Sequence, residues 1–150
     1  MKLLIDHFSR LGSKHSLAFS SQEILKDGIM GLDGIKRKLL VLSGIKKGTF
    51  KESIIDLNEV ISCSVKKYYG RIKANGLKKK KLEQYLERMV LHFGFRSEKG
   101  TAHIQFYNKT DNDLNELPEL EQKAGKWREM LSKMLPHPLR KKPLPLPGFL

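Results

Sequence analysis

The order of the hydrophobic patterns constrains this chain more than any other feature. Short strand-like runs occupy residues 17–107, and one strong amphipathic helix follows at Leu117–Leu135. Alternating apolar positions build half-buried strands, and an apolar stripe every three or four residues builds a helix with one buried face. That order predicts a small β-structure closed or plugged by a C-terminal helix.

The turn signals divide the first region. Leu17-Ala18-Phe19 opens a stretch that runs through Gln22–Leu25, Asp27-Gly28 marks a turn, and Ile29–Leu32 forms a second short strand. Asp33-Gly34 is another tight-turn dipeptide. Lys38–Leu42 is a continuous apolar run, the pattern of a strand covered on both sides. After a loop at Gly44–Gly48, Ser53–Val60 is predicted as one strand, with Ile55 and Leu57 on the same face. Ile61, Cys63 and Val65 then alternate with serines and are predicted to point inward. Met89–Phe95 and Ala102–Tyr107 form a hairpin around Ser97–Gly100, with Leu91, Phe93, Phe95, Ile104 and Phe106 as the richest part of the core.

The C-terminal helix begins at Pro118, which suits a first turn, with Glu119 and Glu121 at its positive end. Leu120, Ala124, Trp127, Leu131 and Met134 make a single apolar stripe, and Pro136 ends it. At the other end of the chain, Leu4, Phe8 and Leu11 form one face of a short helix ending near Gly12. The expected organisation is a single domain over 1–135, with a helical lead-in at 1–16 and the C-terminal helix at 117–135. Residues 136–150 hold five prolines in fifteen and are predicted to be an extended, basic tail.

Composition narrows the function classes. A chain of 150 residues with 39% apolar residues can bury a core of its own. Cys63 is the sole cysteine, so an intrachain disulfide and any multi-cysteine zinc site are excluded. No apolar run reaches the ~18 residues that a spanning helix needs, and Asp6 and His7 interrupt the apolar start.

About seven strands followed by one amphipathic helix resembles the pleckstrin-homology-like superfold, in which two sheets form a partly open barrel. The segment Ser53–Lys67 is similar to a family of uncharacterised bacterial proteins of the Bacteroidetes type. So are Phe19–Leu25, Gly31-Leu32-Asp33-Gly34 and Leu117-Pro118-Glu119-Leu120-Glu121. The resemblance covers Leu17–Leu135. It implies a mainly-β domain with no established activity, and hence no catalytic residues and no cofactor. Members of that family often carry a membrane anchor ahead of this domain; none is visible in these residues, so the expectation is either a soluble chain or one whose start has been trimmed. The expected location is cytoplasmic, or peripheral at the inner membrane face.

Charge supplies the functional candidates. The chain carries +13 formally, and residues 61–82 hold eight of its cations and no acid. They are Lys66, Lys67, Arg71, Lys73, Lys78, Lys79, Lys80 and Lys81. Clustered lysines suit phosphates and anionic headgroups. Lys36, Arg37 and Lys38 beside the Asp33-Gly34 turn form a second, smaller group. Tyr68, Tyr69 and Tyr85 interleave with the lysines, which admits single-stranded nucleic acid as the alternative partner. On strand parity, however, Tyr69 belongs with the packed residues.

Enzyme chemistry has thin support. His92 and His103 fall on the outward parity of neighbouring strands. They face each other if the hairpin pairs residues whose numbers sum to 195, but two histidines make only half a zinc site. Cys63 is expected to be a small core residue. The sequence therefore predicts a non-enzymatic binding or scaffold module that engages a protein or an anionic membrane surface through a basic connection. No metal and no small-molecule substrate is expected.

Overall fold

Strands β2 (Gly28–Asp33) and β3 (Lys38–Ser43) are buried on both faces, and the rest of the molecule is arranged around them. All six residues of β2 and the middle four of β3 are buried. Met30, Leu32, Leu39 and Val41 point into the main core, whereas Ile29, Leu40 and Leu42 point the other way, onto Phe8 and Leu11 of helix α1 (Lys2–Lys14). The uninterrupted Leu-Leu-Val-Leu run thus has the covering on both sides that it predicts. In a computed structural model, the structure describes residues 2–45, 48–71, 81–96 and 100–136.

Among the described residues, seven antiparallel strands form two sheets that do not close into a barrel. The first sheet contains β1 (Ser21–Ile24), β2, β3 and β4 (Lys51–Asp56) in sequence order. The second contains β5 (Val60–Tyr69), β6 (Leu86–Phe95) and β7 (Thr101–Asn108), also in order. Helix α2 (Leu117–Ser132) packs on the inner face of the second sheet. The expected architecture, mainly β with a short N-terminal and a C-terminal helix, is the one observed.

Asp33 fixes the β2–β3 turn. Its carboxylate is buried and accepts from the backbone N–H groups of Lys36 (2.9 Å), Ala18 (2.9 Å) and Ile35 (3.0 Å). Those bonds hold its pKa below the ordinary carboxylate value, with the Lys36 and Ala18 bonds the largest causes. Hydrogen bonds to the charged form have this effect because protonation would forfeit them. The same carboxylate therefore anchors both the turn and the segment entering β1.

The second sheet and α2 complete the core. Leu91, Phe93, Ile104 and Phe106 are buried as predicted, and Phe95 packs against them while partly exposed. Trp127, Ala124 and Leu131 face them from the helix. The Trp127 indole N–H donates to Glu23 of β1 at 3.0 Å, and Lys123 pairs with the same carboxylate at 3.3 Å. One helix thus bridges both sheets. Gly125 approaches nothing: a Cβ there would meet no atom within 4 Å.

Three local expectations change. The predicted strand Ser53–Val60 stops at Asp56, whose side chain accepts from the Asn58 N–H (3.0 Å) and caps a 3-10 turn at Leu57–Glu59. Asp and Asn offer the backbone such local bonds in competition with a ladder. A register shift between Val60 and Ser62 then sends Val60 inward, fully buried, and leaves Ile61 38% exposed instead of in the core. Between β5 and β6, the helical spacing of Leu82, Tyr85 and Leu86 predicts a turn or two of helix over Lys78–Leu86; the structure has a 3-10 turn at Leu82–Tyr85, and Leu86 already belongs to β6. Most of the Ser97–Gly100 loop and the tail beyond Pro136 lie outside the described residues, so the predicted extension of 136–150 is left there.

Phe19 joins α1 to the first sheet. Its ring stacks on Phe8 with centroids 5.0 Å apart. It also fills the space of two missing side chains: a Cβ on Gly12 would fall 2.7 Å from the ring, and one on Gly31 2.8 Å. With a glycine on each side, the ring cannot yield to one without closing on the other. Overpacking of this kind costs about 1–3 kcal/mol. Gly31→Ala is therefore expected to lower unfolding stability by about that amount in urea titrations. In the Phe19→Ala background the same change is expected to cost distinctly less, as neighbouring sites are not additive.

Candidate functional site

Strand parity splits the basic block into two faces. On β5 the inward positions belong to Cys63 and Val65, and Lys67 follows them towards α2, where it forms an ion pair with Glu121. That partner raises the Lys67 pKa, chiefly through the side-chain hydrogen bond. Lys66 points the opposite way, into solvent, and no ion pair engages it among the described residues. Two adjacent lysines thus have different roles: one pins the helix, and the other charges the outer face of the second sheet.

That outer face can be read in rows from the register. Ser62, Gly94 and Thr101 form one row across the three strands, and Ser64, His92 and His103 the next. Lys66, Val90 and Gln105 follow, then Tyr68, Arg88 and Asn108. No carboxylate occupies any of these positions. His92 and His103 are direct partners, in the register whose numbers sum to 195. Burial holds the His92 pKa below its ordinary value, with Lys66 and His103 adding to the shift. The Arg88 guanidinium lies 4.7 Å from the centre of the Tyr68 ring, a cation–π contact.

The other cations distribute as follows. Arg71 and Lys81 are exposed at the far end of β5 and β6, flanking the connection. Lys73, Lys78, Lys79 and Lys80 lie outside the described residues. Lys36, Arg37 and Lys38 sit at the opposite end of β5. Arg37 donates through Nε to Asn58 at 3.0 Å, and the Lys36 ammonium bonds the Ser16 carbonyl. Lys38 pairs in register with Asp33 and Asp56. The structure does not bring this triplet together with the described members of the basic block, and the Lys36 and Arg37 side chains are bonded to the segments beside the turn. Tyr69, expected to be packed, is 40% exposed because a register shift at Tyr68/Tyr69 moves it off the alternating pattern.

A cleft of about 470 Å³ opens between the two sheets beside β7. Its wall is the run Thr101–Gln105, and its floor includes Val41, Ser43, Lys51 and Ser53. Five consecutive residues line it because β7 is a sheet edge and presents its backbone there. His103 lies on the rim shared by this cleft and the outer face.

Cys63 is on the inner face, 9% exposed, and burial pushes its thiol up to about 12. It therefore stands across the sheet from His92 and His103. Among the described residues no three His, Cys, Asp or Glu side chains converge as metal ligands would. Arg88 and Ser64 did not stand out in the sequence, although strand parity sets Arg88 on the side of His92 and Ser64 on the side away from Cys63. Glu121 was read only as an acid at the helix start, because its pairing with Lys67 is a tertiary contact with no local signal.

Comparison with protein-family models, curated proteins and solved structures finds no match. Residue roles must therefore come from the geometry alone.

The Cys63 environment yields a direct check. A thiol with its pKa near 12 is almost wholly protonated at pH 8, and the thiolate is the reactive form. Alkylation of the native protein by iodoacetamide at pH 8 is expected to proceed only at the rate of opening. In urea it should run at the rate of a free cysteine. Rapid labelling of the folded chain would place Cys63 elsewhere than in the core.

Proposed function

We propose that this protein is a non-enzymatic binding module that docks on an anionic membrane surface. The outer face of the second sheet turns toward that surface, and the lysine-rich sequence between β5 and β6 adds its positive charge to the attraction. The observation that carries this reading is the sorting of charge. Lys67, Lys123 and Lys26 are paired with Glu121, Glu23 and Glu116. Lys66, Arg71, Lys81 and Arg88 instead lie on or beside a face without a carboxylate, next to a segment rich in lysine. Each lysine or arginine near an anionic leaflet contributes about 1 kcal/mol, so several together hold a small domain reversibly. A location at the inner membrane face follows from the same reading, and no helix among the described residues is long and apolar enough to cross a membrane.

Sedimentation with vesicles of phosphatidylserine and phosphatidylcholine tests it. Binding is expected with the anionic vesicles only and should weaken as salt rises, because the Debye length falls to about 8 Å at physiological ionic strength. Replacing Lys78–Lys81 with serine is expected to release most of the protein. Negligible sedimentation with both vesicle types would end the reading.

One observation favours a second reading. Tyr68, 40% exposed, lies on the same face as Lys66, with Arg88 against its ring. An exposed ring beside cations is a stacking platform for single-stranded nucleic acid. That partner would show retardation that falls steeply with salt and is reduced by Tyr68→Ala.

A further inference from the structure

The row Ser64–His92–His103 has a composition that nothing in the fold requires. Its three residues are direct register partners across β5, β6 and β7. Opposed residues place their Cβ atoms about 5 Å apart, so the two imidazoles and the serine hydroxyl share one small area. The next row, about 7 Å along the strands, brings Lys66, whose long side chain spans that distance. The row on the other side is Ser62, Gly94 and Thr101. Gly94 adds no side chain to that row, and a Cβ there would fall 2.5 Å from the Ser62 hydroxyl. The floor beside the histidines is therefore low and carries two more hydroxyls.

All of these groups can donate hydrogen bonds, and none is a carboxylate. Lys66 and Tyr68 from β5, Arg88 from β6 and His103 from β7 share this face with His92, and from the first sheet's side Asp27 and Lys51 line the cleft that His103 borders. Adding a proton to His92 places a charge beside Lys66, and an anion seated on the row would offset both.

We propose that Ser64, His92 and His103, together with Lys66, form a binding site for a phosphate monoester group. The ligand chemistry follows from the donor set. A tetrahedral dianion accepts from several converging donors at once, as these hydroxyl, imidazole and ammonium groups can supply. A monoester also takes its second proton near pH 6, close to imidazole, so charge on both partners can adjust together. The proposal deepens the reading of this face as an anion-binding surface by naming the group recognised.

Proton linkage gives it a signature. In the free protein His92 titrates below its ordinary value, so the unfolded chain takes up this proton first as pH falls through about 6.5. Its contribution therefore makes the free protein less stable on acidification in that range. A bound phosphate favours the imidazolium and reverses the sign. Phosphate should protect against thermal unfolding more at pH 6.5 than at pH 8.

The experiment is an NMR titration of the full chain with inorganic phosphate at both pH values, against chloride at equal ionic strength. Saturable shifts are expected in the His92 and His103 ring protons and in the amides of residues 64 and 66. Loss of a charge-assisted hydrogen bond costs about tenfold in affinity or more. His103→Gln and Lys66→Gln should each weaken binding accordingly, with amide spectra of each variant confirming that it folds. Equal responses to phosphate and chloride, or shifts confined to Arg71 and Lys81, would overturn the site, even if vesicle docking stands.

Vesicles identify the source of the group. If it is a lipid headgroup, His103→Gln should weaken sedimentation with phosphatidate, a monoester, but not with phosphatidylglycerol, a diester, at matched charge. If the variant leaves both vesicles unaffected while phosphate still binds at the row, the ligand is a soluble phosphorylated molecule. Phosphate binding without sedimentation on any anionic vesicle would likewise keep the site and remove the membrane reading.

Discussion

Asp33 is the constraint on which the first half of the molecule depends. A buried carboxylate is costly unless every lone pair is engaged, and here three backbone N–H groups engage it. Two belong to the β2–β3 turn and one to the segment that leads into β1. The carboxylate thereby sets where the doubly covered pair β2–β3 begins to turn, and where the chain arrives from α1. Phe19, one residue beyond that attachment, is delivered onto Phe8 and the two glycines. The turn also presents Arg37 to Asn58, and the Arg37 carbonyl accepts from Leu57, which ties the first sheet to the start of the second.

Much of this was legible in the sequence because apolar periodicity reports burial directly. The doubly covered β3 run, the core residues of β6 and β7 and the stripe on α2 follow from periodicity alone, whereas alternation puts His92 and His103 on one face without choosing the register that pairs them. The failures occur where alternation is broken by an extra residue. Asp56 caps a turn instead of continuing a strand, and the shift after Val60 exchanges the places of Val60 and Ile61. A second shift exposes Tyr69. Sequence parity propagates through a strand only as far as its first bulge.

The candidate site shows the same limit in another form. The lysine block was visible as a count of charges, but a count does not say which way each side chain points. Lys66 and Lys67 are neighbours in the chain and opposites in space, and only the fold reveals that Glu121 takes one of them. Arg88, Ser64 and Gln105 join the outer face through register, a property of three strands at once. In the smaller triplet Lys36–Lys38, the fold likewise engages Lys36 with the Ser16 carbonyl and Arg37 with Asn58.

The glycine pair around Phe19 bears on how such a domain varies over time. Gly12 lies on a helix and Gly31 on a strand, 19 positions apart, and neither is required by a left-handed backbone, since among the described residues the glycines with positive φ are Gly44, Gly48 and Gly100. Their smallness is dictated by one ring. The three positions therefore form a single evolutionary unit: a side chain gained at either glycine destabilises the fold less alongside a smaller residue at 19. Among related sequences, substitutions at 12, 19 and 31 should then appear as correlated sets, and that covariation would record the seating of α1 without any structure.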